Sequence, residues 1–520
     1  MTDQPTPATP SSDHTAMAQF WGMVRDILGG APAMRKNCES YLPKLPEETT
    51  ADHDSRVALS PFTNIYGDIS GNLASKPFAK ELCLSDATPV EIAGTADVEG
   101  ERSGGLADNI DAQGNNLHVF ASNSFKEGVD KGLTWILVDF TRARPTVEGR
   151  PLSQAEEQAQ GLRPYWVHLP PEQVIAAYSV AVGGVDTLFH ARVLECEKVR
   201  NGFGEKEVKR VRVMDRAFLD VTPDGAPTAL GPATWTLYEE QKRDGKDQPE
   251  WVEIDAGAYS IGLIPLVPVF IGQRVGASFR VIPPLRDLAY MQVEEYQQEA
   301  NLKSISMLTA FPMLAGNGVN PPVDKEGEAI VVPVGPRSVL FAPPNNDGNH
   351  GEWKFIEPSA ESLKFLEERL NTFRDQMRDL GMQPLARSNL TVVTSANLSR
   401  KASSQVQKWA ILFEDALDQA LAITCKWLGI PDEASAEVYK DFSVEAEEGE
   451  ELTALLNAEK QRVVSKQTVA EEFKRRGVLS DDYDHEKDQL RLADEQADAT
   501  GEQNIDPVTG AVLPDNGPAV

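Results

Sequence analysis

The chain has no GxxxxGK[ST] loop, so it lacks the backbone cradle and lysine with which P-loop nucleotide hydrolases neutralise a triphosphate. The strand-like ILVD at 136–139 resembles the strand-plus-acid half of such a site, but without the loop it reads as a buried strand ending at a turn. Gly202 and Gly204 lack the third glycine of a dinucleotide fingerprint and read instead as a hairpin turn. Seven dispersed histidines, His14, His53, His118, His168, His190, His350 and His485, offer no HExxH or other short metal-ligand spacing, and no GxSxG elbow occurs. No cofactor and no metal is expected. Carboxylates are so abundant that any pair could be named as acid and base, which removes their information. Only four cysteines are present, Cys38, Cys83, Cys196 and Cys425, far apart and without a CxxC pair, and they read as buried free thiols of a reducing compartment. The amino-terminal MTDQPTPATPSSDHT has neither the basic stretch nor the apolar run of a secretory signal. The most apolar segment, YSIGLIPLVPVFIG at 259–272, is broken by Pro265 and Pro268 and falls short of the roughly 20 residues that span a bilayer. A soluble protein without membrane contact is the expectation.

Basic residues are also scarce. Fifty Lys and Arg against 80 Asp and Glu give a formal net charge of −30, the wrong sign for a protein that grips nucleic acid by neutralising phosphates. A hydrophobic content of 41% over 520 residues is nevertheless enough for a large core divided among several substructures.

The pattern along the chain predicts an α+β protein. Residues 1–15 and 497–520 are rich in Pro, Thr, Ser, Asp and Gly without apolar periodicity and read as mobile tails. Helical spacing begins with Met17, Phe20, Trp21, Val24 and Ile27, a core stripe. From 82 to 282 the texture is mixed α/β with short strand-like runs, among them 133–140, 208–213 and 235–239, and a short helix candidate at which Ser153 and Glu156 have capping-box spacing. No internal repeat is visible.

After Pro283 and Pro284 an unbroken helical stretch runs from 285 to about 309, roughly 40 Å long. Leu288, Met291, Val293, Tyr296, Ala300, Leu302 and Ile305 form its apolar stripe, leaving Asp287, Glu294, Glu295 and Glu299 to face solvent. Pro- and Gly-rich sequence follows, with strand-like runs at 328–334, 338–344 and 352–357. A second helix, capped by Ser359 and closed by Gly381, alternates Leu363, Leu366, Leu370, Phe373, Met377 and Leu380 three and four apart, a seam that wants the first helix beside it. The polar MQPLARSNLTVVTSAN at 382–397 precedes a third helix from about 398 to 428, edged by Val406, Trp409, Phe413, Leu417, Leu421, Cys425 and Leu428 and stopped by Gly429 and Pro431. A last helical region, 450–479, holds Ser465 as a cap and ends on Lys474, Arg475 and Arg476 before Gly477.

This order of elements resembles tailed-bacteriophage portal proteins. YLPKLPEET at 41–49, NIDAQGNNLHVFA at 109–121, RPYWVHLPPEQVIAAY at 163–178 and IPLVPVFIG at 264–272 look similar to a prophage portal-like family, and the resemblance covers roughly 20–490. It implies a portal-protein fold: wing 16–282, first stem helix 283–310, clip 311–357, second stem helix 358–381, tunnel loop 382–397, lumen-side helix 398–430, wing return 431–446 and crown 447–496. It further implies a non-enzymatic virion protein, a ring usually of twelve subunits at one capsid vertex, assembled in the host cytoplasm beside capsid or scaffolding protein. Double-stranded DNA would pass through the ring during packaging and ejection, with the clip docking the terminase large subunit and later head-completion proteins. By position, Gln383, Arg387, Ser388, Asn389, Thr391 and Thr394 would approach the DNA, and Asp287, Glu294, Glu295 and Glu299 would line stem or lumen. The acidity fits a channel wall to which phosphates do not stick. Two other readings stay open: a virion-assembly hydrolase with its site in the α/β body, and a coiled-coil scaffold using the same heptad seam.

Overall fold

In the computed structural model, the described residues are 5–96, 102–142, 160–221, 227–241, 250–310, 313–317, 351–356, 360–381, 392–440, 442, 450–475, 479, 483, 485 and 487–492. The chain divides into two compact units, Met1–Lys440 and Asp441–Val520. The fold class is α+β.

In the first unit, helix α1 is Ser12–Leu28, and Met17, Trp21, Val24 and Ile27 of the expected stripe are buried. It starts inside the segment read as a mobile tail. Ser11 accepts from the His14 amide as N-cap, its own amide donates to the Ile175 carbonyl, and Arg192 donates to the carbonyls of Thr6 and Pro7. The Pro- and Thr-rich composition hid a cap and a docked segment that only tertiary contacts reveal. Helices α2 (Thr50–Leu59), α3 (Ile65–Ser75) and α4 (Leu117–Lys131) follow.

Two antiparallel sheets come next. Strand β1 (Leu133–Phe140) keeps the bounds of its sequence pattern; it is the centre of a three-stranded sheet, flanked by β2 (Pro164–Leu169) and a returning strand, Leu266–Phe270. Its six buried leading residues explain the continuous apolar run, since both faces are covered. Strands β3 (Val174–Val182), β4 (Val185–Asn201), β5 (Gly204–Asp215), β6 (Thr234–Gln241) and β7 (Glu250–Ala258) form a five-stranded meander, and Leu266–Phe270 becomes β8. The β4–β5 hairpin turns on Gly202 at φ 63, as the two-residue loop requires. Trp21, Trp135, Leu137, Val193, Met214 and Leu266 share one core between α1 and the sheets. The Ser153 and Glu156 helix candidate lies outside the described residues.

Helix α5 is Arg286–Ala310, α6 is Ala360–Leu380, and between them β9 (Met313–Asn317) pairs antiparallel with β10 (Glu352–Ile356), Met313 opposite Ile356. The runs at 328–334 and 338–344 and the Ser359 cap lie outside the described residues. Helix α7 is Val392–Leu428, so it begins six residues before the expected start and Thr394 lies in helix, not loop. The polar, aperiodic sequence before 398 reads as loop, but its β-branched residues from Val392 on cost a helix only tenths of a kcal/mol each and no Gly or Pro intervenes. The carboxyl half of α7 packs on β1, β2 and β8; Trp166 Nε1 donates to Thr424 Oγ1 at 2.9 Å, and Trp427 Nε1 to the Val138 carbonyl at 2.9 Å. Gly429, at φ 67, closes it.

In the second unit, α8 (Glu450–Lys460) and α9 (Lys466–Arg475) are separate helices. Arg462 at φ 59 turns the chain between them, and Ser465 caps α9 by accepting from the Thr468 amide at 3.1 Å. Arg476, Gly477 and the tail 497–520 lie outside the described residues.

Gly381 ends α6 for a reason other than a left-handed conformation: a Cβ there would sit 2.5 Å from Ile69 Cγ2 on α3. Gly381→Ala should therefore destabilise the first unit by about 1–3 kcal/mol. Urea unfolding checks this, and Gly381→Ala should cost less in an Ile69→Ala background than in the wild type; a neutral Gly381→Ala would show that the helices do not meet this closely.

Candidate functional site

The functionally suggestive geometry is the α5–α6 hairpin and its attachment to the body. Its root is built from backbone. Gly132, at φ 82, ends α4; its carbonyl accepts from the amides of Ile271 and Gly272, and a Cβ there would lie 2.9 Å from Pro283 Cα. The two prolines thus enter α5 from a fixed position.

The first half of α5 is covered on more than one side, packing on α1, α2, α3 and α6. Of the expected stripe, Leu288, Tyr296 and Ala300 are buried and Ile305 is 40% exposed; Ala289 and two polar residues, Gln292 and Glu295, are buried as well. Gln292 Oε1 accepts from the Tyr66 amide at 2.9 Å, and its Nε2 donates to the Thr63 carbonyl at 2.9 Å and to Glu295 Oε2 at 3.1 Å. Gln297 Nε2 donates to the Tyr41 carbonyl at 2.8 Å, and the Tyr296 and Ser60 hydroxyls are 2.8 Å apart. These bonds satisfy an amide in the first turn of α3 and carbonyls at Thr63 and Tyr41 that burial would otherwise orphan.

From α6, Arg374 reaches across to α5. Its Nε lies 2.7 Å from Glu295 Oε1, and its Nη2 is 2.6 Å from both Glu295 Oε1 and Glu299 Oε1. Burial pushes the Glu295 carboxyl up to about 7, against the opposing pull of Arg374, while Glu299 adds repulsion. One guanidinium holding two carboxylates makes a charge-assisted bridge that fixes the rotation of one helix against the other.

The four candidate acidic residues therefore separate. Asp287, beside Arg286 at 3.1 Å, and Glu294, which accepts from Gln298 at 3.0 Å, are exposed. Glu295 is fully buried and Glu299 is 16% exposed in its side chain, so neither faces solvent as expected. The expectation of a single packed face failed because α2 and α3 cover a second one. Of the loop residues, Gln383, Arg387, Ser388, Asn389 and Thr391 lie outside the described residues, and Thr394 is on α7. Arg374 went unnoticed in the sequence, although it stands four residues after Leu370 and three before Met377, on the seam, where a cation calls for acids on the facing helix. The seam itself is uneven: Leu370 and Met377 are buried, while Leu380 is 47% exposed.

Among the described residues, no group of three or more His, Cys, Asp or Glu is placed to hold a metal ion, and no helix is long and apolar enough to cross a membrane. Cys83 and Cys196 are exposed rather than buried as expected, and Cys425 alone is fully buried.

The model of DUF4055, a domain of unknown function, matches residues 284–428, from the prolines through α7. Among solved structures, the chain is similar to one titled the neck of a native GTA particle computed with C12 symmetry, at 10% identity and a TM-score of 0.36, over 83% of this chain and 94% of that one. No curated protein matches.

The raised Glu295 carboxyl gives stability a pH dependence of definite sign. The folded state favours the protonated acid relative to the unfolded chain, so this contribution is complete below about 4.5 and lost as pH rises through about 7. Glu295→Gln should flatten that fall, because the amide has no proton to lose over this range. Thermal melts from pH 5 to 8 check this; parallel curves for the two proteins would show that Glu295 stays ionised throughout.

Proposed function

We propose that this chain is a portal subunit: copies assemble as a ring at a capsid vertex, and double-stranded DNA is packaged and ejected through it. The observation that carries the reading is the anchored α5–α6 hairpin with the β9–β10 pair held between its two helices, followed by the 37-residue α7. A structure of this kind projects a small β unit from a rigid root, which suits docking and has no evident use in catalysis. The family-model match over 284–428 supports treating these elements as one unit. Its partners in this reading are other copies of itself, the terminase large subunit, head-completion proteins and capsid or scaffolding protein. The role is structural, without a catalytic site or cofactor.

The mechanism follows from charge. Exposed Asp287 and Glu294 on α5, within a chain of net charge −30, offer phosphate no binding surface, so DNA would slide with little retention by the stem. Residues 382–391 carry Arg387 among short polar side chains, a composition that supports weak, exchangeable phosphate contacts without sequence readout. The hydrolase reading has no specific observation among the described residues in its favour.

Native mass spectrometry and electron microscopy of the purified chain should show a ring, with twelve copies of the 56.9 kDa subunit as the reference expectation. A chain that stays monomeric with capsid components present would sink the proposal. Replacing 318–350 by a short linker should leave the ring intact and cut the yield of DNA-filled heads about tenfold or more, the scale of losing one good interface anchor. Arg387→Ala combined with shortening of 390–394 should lower retention of packaged DNA; unchanged retention would remove that loop from the mechanism.

A further inference from the structure

An open groove of about 490 Å³ lies between the β3–β4 hairpin, strand β8 and the carboxyl half of α7. Its floor is apolar, with Leu188, Leu266 and Ile423 among the lining side chains. Its charges are arranged unevenly. Arg274 is already occupied: it pairs with Asp186 at 3.1 Å, donates to the carbonyls of Ser278 and Ala277, and lies over the rings of Phe270 and Phe279. The Arg216 side chain donates from Nε to the Gly231 carbonyl at 2.8 Å, and Lys426 stands exposed on the last turn of α7. Neither has a carboxylate partner among the described residues. Burial pushes the Arg216 guanidinium down with no neighbouring charge to offset it.

That cleft stands against the overall charge of the chain. Acids outnumber bases by 80 to 50, and at several other places one cation serves two carboxylates: Arg374 with Glu295 and Glu299, Arg212 with Asp139 and Glu195, Lys131 with Glu127 and Glu172. Two cations left without acids above an apolar floor form a locally positive cleft on a strongly negative molecule. Its volume is within the range of binding clefts, and its chemistry matches a segment carrying both acidic and aliphatic side chains.

We propose that this groove seats an acidic, aliphatic segment of a second copy of the chain. A contact between this groove and a different surface of the neighbour is heterologous, and repeated contacts of that type close into a ring when the rotation permits. The inference rests on the ring reading only in requiring that copies associate; it adds the surface by which they do so.

The test uses the full chain with Gln419, exposed at the groove rim, replaced by the photocrosslinker p-benzoylphenylalanine. Chains labelled with ¹⁴N and ¹⁵N are mixed, assembled and irradiated. Mixed-isotope crosslinks to a peptide containing Asp or Glu are expected. A ring whose crosslinks all stay within one isotope overturns the groove and leaves the ring standing; a persistent monomer overturns both. Lys426→Glu, a surface change, should keep the wild-type melting temperature and raise the concentration needed for half-assembly about tenfold. Arg216→Lys should assemble nearly normally and Arg216→Glu should not, while equal assembly by all three variants would overturn the proposal.

Discussion

The bridge from Arg374 to Glu295 and Glu299 is the constraint on which the rest of the hairpin depends. A buried carboxylate costs several kcal/mol in desolvation, repaid only with a well-placed cation and further hydrogen bonds. Glu295 has both, with Arg374 on one oxygen and Gln292 on the other. Gln292 in turn holds the backbone at Thr63 and Tyr66. The rotation of α6 against α5 is thus coupled, through one carboxylate, to the loop that begins α3. Apolar seam residues alone would permit a slide of one turn; a guanidinium with two fixed acceptors does not.

The same device recurs where other elements meet. Arg212 on β5 binds Asp139 on β1 and Glu195 on β4, both at 2.7 Å, and so ties the two sheets together. The two carboxylates raise its affinity for the proton although burial opposes it, and Tyr259 nearby is pushed up to about 12, chiefly by burial. Lys131, at the end of α4, lies between Glu127 and Glu172. A chain with this excess of acid cannot give every inward carboxylate its own cation. Sharing one cation between two makes each joint cooperative, because loss of the cation strands two charges.

Much of the fold was legible because it is written locally. The apolar run of β1, the stripe of α1, the glycine turn of β4–β5 and the Ser465 cap each depend on a few neighbouring residues, and each stands where the pattern placed it. What escaped depends on contacts distant in sequence. An amphipathic stripe reports one packed face, so the second cover on α5, which buries Glu295, left no periodic trace. The early start of α7 was masked by a polar sequence without a regular period, and the start of α1 by a tail-like composition around an N-cap. Arg374 was the readable clue that went unread, since a cation on an apolar seam has few explanations besides an acid opposite.

The hairpin is also graded along its length. Near its root, Tyr296 and Ala300 are fully enclosed, whereas Met307 is 37% exposed and, near the start of α6, Phe365 is 64% exposed. Every polar anchor described above, from Gln292 to Glu299, lies in the first two-thirds of α5. Cooperative protection follows buried contacts, so local opening should cost most at the root and least toward β9–β10. That gradient agrees with the docking role proposed for the hairpin. A fixed root transmits orientation from the body, while a less enclosed end retains apolar surface whose burial is available to whatever it meets.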